Sequence, residues 1–119
     1  MVVFVIVLVV VELIVVTMVA GVRRDHDMTI HRAFTVEAFY AAESGVNMAI
    51  RELMEDNDDD GDGTIGSISD DTNDANDPAL GNARFVVTSA TDTPLPGQIT
   101  LTSQGRSGET RREMTSVIE

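Results

Sequence analysis

The sequence predicts an α+β fold: a long N-terminal α-helix with a small three-stranded antiparallel β-meander packed on its C-terminal half. Three observations predict it. An apolar run from Met1 to Val22 continues without a breaker into an amphipathic stretch that reaches Met54. A polar segment rich in Asp, Gly and Asn follows. Beyond residue 84 the apolar period changes from helical to two. The 119 residues therefore divide into an apolar helix (1–22), its amphipathic continuation (23–54), an acidic loop (55–83) and the meander (84–119).

In the first segment only Glu12 and Thr17 are overtly polar. Twenty-two helical residues rise about 33 Å, the thickness of a bilayer's hydrocarbon core. Eleven of them are valines, which favour strand in water, but a lone strand cannot satisfy its backbone in lipid and a helix can. A signal peptide has a charged start and an apolar core of only about 7–15 residues. Here no charged side chain precedes Glu12. Arg23 and Arg24 end the span, but Asp25 and Asp27 follow them at once, so the charges leave the topology open.

From Asp25 to Met54 there is no Pro and one Gly, and Ile30, Phe34, Ala38, Ala41/Ala42, Val46, Ala49/Ile50 and Leu53 fall on one helical face. The two segments are expected to form one helix, roughly 80 Å long. Gly61, Gly63 and Gly66 among aspartates end it, and the segment to Asn82 reads as loop. Three strands follow, at Arg84–Ala90, Gln98–Gln104 and Thr110–Ile118. Turns are expected at Thr93–Gly97 and at Gly105–Gly108. So small a sheet cannot stand alone. Phe85, Val87, Ile99, Leu101, Met114 and Ile118 are expected to pack on Phe39, Val46, Ile50 and Leu53 of the helix.

Composition excludes several functions. The net charge is −12, of which residues 55–77 supply −10 with ten acids and no base. A chain so charged, without a basic patch, repels phosphate backbones, so no nucleic acid is expected as a partner. The absence of cysteine excludes disulfides, thiolate metal sites and thiol catalysis. His26 and His31 are five apart and do not share a helical face. No nucleophile elbow or phosphate-binding loop occurs. The sequence does not point to an enzyme.

The run Ala38-Phe39-Tyr40-Ala41-Ala42-Glu43-Ser44-Gly45-Val46-Asn47-Met48-Ala49-Ile50-Arg51-Glu52-Leu53, behind an apolar helix, resembles the type IV pilin-like superfamily. The branch it is most similar to is the one named for minor pilins, whose helix reads A-F-Y-A-A-E-A-G-x-x-x-A-x-x-x-L. The closing I-T-L-T-S-Q-G-R-S-G-E-T-R-R resembles that branch's terminal hairpin. The likeness covers residues 1–54 and 84–119. It implies a structural subunit of an extracellular filament on the cell surface. Such a subunit is held in the inner membrane before assembly, handled by pilus assembly machinery, and then packed with copies of itself in a helical filament. Two alternatives are a pseudopilin of a type II secretion system and a single-pass membrane protein with a calcium-binding domain. Gly45 fits a close approach of a neighbour or of the sheet, since inside a helix it otherwise costs about 1 kcal/mol against Ala.

Val9, Glu12, Leu13 and Val16 are the expected assembly residues. Mid-span, a carboxylate costs about 3 kcal/mol on insertion scales, so Glu12 needs a partner or a tolerated, snorkelling or protonated state. The resemblance implies a glutamate at the fifth mature position that meets a neighbour's amine. Glu12 would hold that place if the mature chain began at Leu8.

The acidic loop contains Asp58-Asp59-Asp60-Gly61-Asp62-Gly63-Thr64-Ile65, which fits D-x-D-x-D-G-x-I, the opening of an EF-hand or dockerin type calcium loop. Alternate carboxylates Asp58, Asp60 and Asp62 would converge on one hard cation, and Thr64 would add its carbonyl. Position 12 holds Ser69 instead of Glu, so Asp70 or Asp71 would have to stand in. A register of Asp56, Asp58 and Asp60 is also open, as is a second site at Asp74, Asn76 and Asp77. Calcium is the expected cofactor; the competing reading is a solvated acidic loop.

Overall fold

The computed structural model describes residues 1–119. Helix α1 (Val2–Glu55) precedes strands β1 (Arg84–Thr91), β2 (Ile99–Ser107) and β3 (Thr110–Ile118). The strands form one antiparallel sheet in the order β1-β2-β3. The fold is α+β, as the periodicities predict. The chain divides into two compact units, Met1–Arg32 and Ala33–Glu119.

The first unit is helix alone, and every residue in it is exposed. Its one neutral polar side chain within the apolar run, Thr17, donates its hydroxyl to the Leu13 carbonyl at 2.7 Å. That bond removes a polar group from the apolar surface without any second element.

In the second unit α1 buries Ala38, Ala41, Ala42, Gly45, Val46, Ala49 and Glu52, a stripe at spacings of three and four. Five of these seven are Ala or Gly, because the sheet comes close. An ideal Cβ on Gly45 would stand 2.8 Å from Val87 Cγ2 and 2.9 Å from Phe85 Cδ2, and closer still to Ser103 Oγ. The close approach expected at Gly45 is thus to the sheet. The sheet presents Phe85 and Val87 of β1 and Leu101 and Ser103 of β2 inward, alternating with exposed neighbours in β1 and with exposed or half-buried ones in β2. Ala41, Ala49, Ile68, Ala83, Phe85, Val87 and Leu101 make the core, with Ile50, Leu53, Ile99 and Ile118 against it.

Three expectations are corrected. Phe39 does not pack on the sheet: it is 47% exposed and meets Tyr40 edge-on at 6.1 Å between ring centroids. The buried positions beside it belong to alanines because the short helix–sheet distance leaves no room for a ring. Met114 is only partly buried and lies outside the core cluster. Gly105–Ser107 is strand, not turn. Gly105 lies between Phe85 and Arg112 in the ladder, where β2 crosses the α1 backbone at Ala38 and Ala42. The turn is Gly108-Glu109, with Gly108 at φ 57°, the positive first position that a II′ hairpin turn uses.

The helix closes with a Schellman arrangement. Asp56 has φ 52°, and the Asn57 amide donates to the Glu52 carbonyl at 3.2 Å. The loop then returns to the sheet at Ile68, which exchanges two backbone hydrogen bonds with Val87 (2.9 and 2.8 Å) and is fully buried. At the other end of the layer, the Ser107 hydroxyl is 2.6 Å from Glu37 Oε2 and donates to it.

Candidate functional site

Two surfaces carry chemistry, one in each unit. Val9, Glu12, Leu13 and Val16 fall at i, i+3, i+4 and i+7, which places them on one face of α1. All four are exposed, as is every large apolar side chain from Met1 to Val22. A soluble monomer rarely exposes so continuous an apolar surface, and a helix apolar all round belongs against lipid or other helices.

The second surface is built where the acidic loop leaves α1. Glu52 is on the buried stripe of the helix, 0% exposed, although it is a carboxylate. Its Oε1 accepts the Asp59 amide at 2.7 Å and its Oε2 the Gly66 amide at 2.9 Å, so one side chain pins both arms of the loop. Asp58 receives the Gly61 and Gly63 amides at 2.7 and 2.8 Å. Asp60, also buried, receives the Ser69 amide at 2.7 Å and the Asp62 amide at 3.3 Å. One carboxylate oxygen from each of Glu52, Asp58 and Asp60 lies within 4.8 Å of the others.

Of the ligands expected from the sequence, Asp58 and Asp60 are therefore brought together. Asp62 Oδ1 accepts the Thr64 amide at 2.6 Å, while its Oδ2 is buried without a partner. Thr64 is exposed and its carbonyl accepts the Ser67 amide at 3.2 Å. Asp70 is exposed, with its carboxyl near that of Asp62. Asp74 faces Arg84 at 4.0 Å, an exposed pair of little energetic weight. Asn76, assigned by the sequence only to a second site, instead donates to the Asp60 carbonyl at 2.6 Å.

The electrostatics separate the three loop aspartates. The Gly63 amide, opposed by burial and helped by the Gly61 amide, holds Asp58 below the usual carboxylate range. Burial raises Asp60 against the pull of the Ser69 amide. Burial, with the neighbouring Asp70 and Asp60 carboxylates adding to it, pushes Asp62 up to about 7. All three follow the C-terminus of α1, where the macrodipole already places partial negative charge. The nearby base, Arg51, is engaged by Asp59 and Glu55.

Sequence reasoning missed Glu52. The signal was available: Ala38, Ala41/Ala42, Gly45, Ala49 and Glu52 share one spacing, and a carboxylate on that stripe must find buried donors. Glu52→Ala leaves the Asp59 and Gly66 amides without their acceptor. It is expected to destabilise the second unit by about 2–4 kcal/mol and to open residues 56–66 to proteolysis. Urea unfolding and limited digestion check this, and unchanged values for both would contradict the pinning role.

Compared with protein-family models, curated proteins and solved structures, the chain matches none of them.

Proposed function

We propose that this chain is a structural subunit of a type IV pilus-like extracellular filament that polymerises through its apolar N-terminal helix. The observation that carries the reading is the unbroken exposure of Met1–Val22 on a helix long and apolar enough to span a bilayer. One surface serves two states. Lipid covers it before assembly, and copies of the same helix cover it afterwards, with the sheet and acidic loop outside. Identical copies repeated by a screw operation make an open, heterologous assembly, so no second subunit type is needed. The motif from Ala38 to Leu53 supports the same reading by resemblance, as does the single carboxylate at Glu12. In this reading Glu12 leaves the lipid when a neighbour's amine meets it.

The test is negative-stain microscopy of the purified full chain after detergent removal. Long fibres of uniform width are expected. Particles that remain monomeric, and soluble only in detergent, would remove the filament reading and leave a single-pass membrane protein. Glu12→Gln is expected to lower fibre yield several-fold while leaving membrane insertion intact, as followed by fractionation. Undiminished yield would remove the pairing role of Glu12.

A further inference from the structure

Arg84, Arg106 and Arg111 are apart in the sequence, but the sheet register collects them. Arg84 of β1 stands opposite Arg106 of β2, which stands opposite Arg111 of β3. In the adjoining row Gly105 meets the α1 backbone, so the arginine row is on the face turned away from the helix. All three are exposed. Like charges directly opposite one another across strands repel, and the chain itself answers little of this charge. Arg84 is 4.0 Å from Asp74, whereas neither Arg106 nor Arg111 has a carboxylate within ion-pair distance. Arg106 donates Nε to the Gly108 carbonyl at 3.3 Å, and Glu113 is held by Gln104. Asp71, Asp74 and Asp77 share with the row a cleft of about 350 Å³.

Unanswered negative charge lies at the other end of the second unit. The arginine row is beside residues 34–38 of α1, since Gly105 meets Ala38, Ser107 donates to Glu37 and Gly108 meets Phe34. The turn that follows α1 carries six acids between Glu55 and Asp62, of which only Asp60 is buried. Arg51 is the one base paired with them, through Glu55 and Asp59. Eighteen helical residues, roughly 27 Å, separate Glu37 from Glu55.

We propose that the arginine row receives the Glu55–Asp62 turn of a second copy of this chain. The inference rests on the filament reading and adds to it a contact between second units. Two unlike patches, one for each neighbour, make a head-to-tail interface that a screw operation repeats without closing. Contacting copies would be offset by roughly 27 Å along the helix axis. At that offset the acidic turn relieves the repulsion within the row, and charge that would keep copies apart sets their register instead. The aspartates of the cleft do not bar the approach. The loop joins the sheet at β1 through Ile68, and Arg111 is on β3, the strand at the opposite edge.

The chain has no cysteine, so introduced thiols report only this contact. Full-length chains carrying Val86→Cys, on the face of the arginine row, are mixed with chains carrying Asn57→Cys, at the acidic turn. Detergent is removed and the mixture is oxidised. Cross-linked dimer is expected several-fold above the level in either chain alone, and should fall in high salt. Arg106→Glu with Arg111→Glu on the first chain, or Glu55→Arg on the second, should each lower it several-fold. These side chains are exposed, so Tm in micelles should hold. A mixture that cross-links no better than its components, or one indifferent to both charge reversals, would overturn the contact; fibres forming regardless would leave the filament reading standing. Cross-linking confined to the mixture in the absence of fibres would keep the contact and remove the filament. A rise in Tm with sulfate at constant ionic strength, lost in the arginine-reversed chain and unaccompanied by cross-linking, would assign the row to a small anion and overturn the proposal.

Discussion

Gly105→Ala is expected to destabilise the second unit by about 3 kcal/mol or more, the upper end of what overpacking costs. A Cβ at this position would stand 2.5 Å from the Ala42 amide nitrogen and 3.0 Å from the Ala38 carbonyl carbon, and would overlap the Ala38 carbonyl oxygen. These are backbone atoms of α1, so no rotamer change relieves the clash. The strand must lift off the helix, which also withdraws Phe85, the cross-strand partner of Gly105, from the core. Against a typical total stability of about 5–15 kcal/mol, such a loss moves the urea midpoint far. Gly45→Ala is a useful contrast. Its Cβ would meet the ends of Ser103, Val87 and Phe85, which can shift, and alanine regains about 1 kcal/mol of helix propensity. Its net effect should be the smaller of the two. A wild-type midpoint for Gly105→Ala would show that the strand does not cross the helix at this distance.

Val9→Lys should abolish fibres while leaving the sheet folded. Val9 is in the middle of the apolar run and 48% exposed in the free chain. In a bundle of like helices each copy would bring a buried ammonium at a cost of about 3 kcal/mol on insertion scales, repeated at every contact along the fibre. No acid other than Glu12 lies within the run to neutralise it. Because residue 9 is in the first unit, the second should keep its wild-type circular dichroism and unfolding midpoint. Abundant fibres from this variant would contradict burial of the helix among copies. Loss of the sheet's fold would instead mean that the two units are not independent.

Much of this architecture was legible because period and composition respond directly to solvent. The run from Met1 to Val22, the spacing from Ala38 to Ala49 and the alternation in β1 and β2 each reflect one face turned from water. What was not legible depended on distances between elements. Phe39 and Ala38 both fit a helical stripe, and only the closeness of β2 decides that the alanine faces in and the ring out. Gly105 reads as turn by type, whereas its use is to let two backbones meet. In the acidic loop the D-x-D-x-D-G spacing located the right turn. It could not reveal that Glu52 comes in from the helix, or that Asn76 folds back onto Asp60, because both contacts depend on the path of the chain.

The central claim is that copies of this helix cover one another's apolar surface. Helical reconstruction of the purified fibres by electron cryomicroscopy tests it most directly. The account predicts Met1–Val22 of every subunit in the fibre interior, walled by the same segment of neighbouring copies, with the sheet outside. Density placing that segment on the fibre surface, in a detergent belt, or against sheets rather than helices would contradict it.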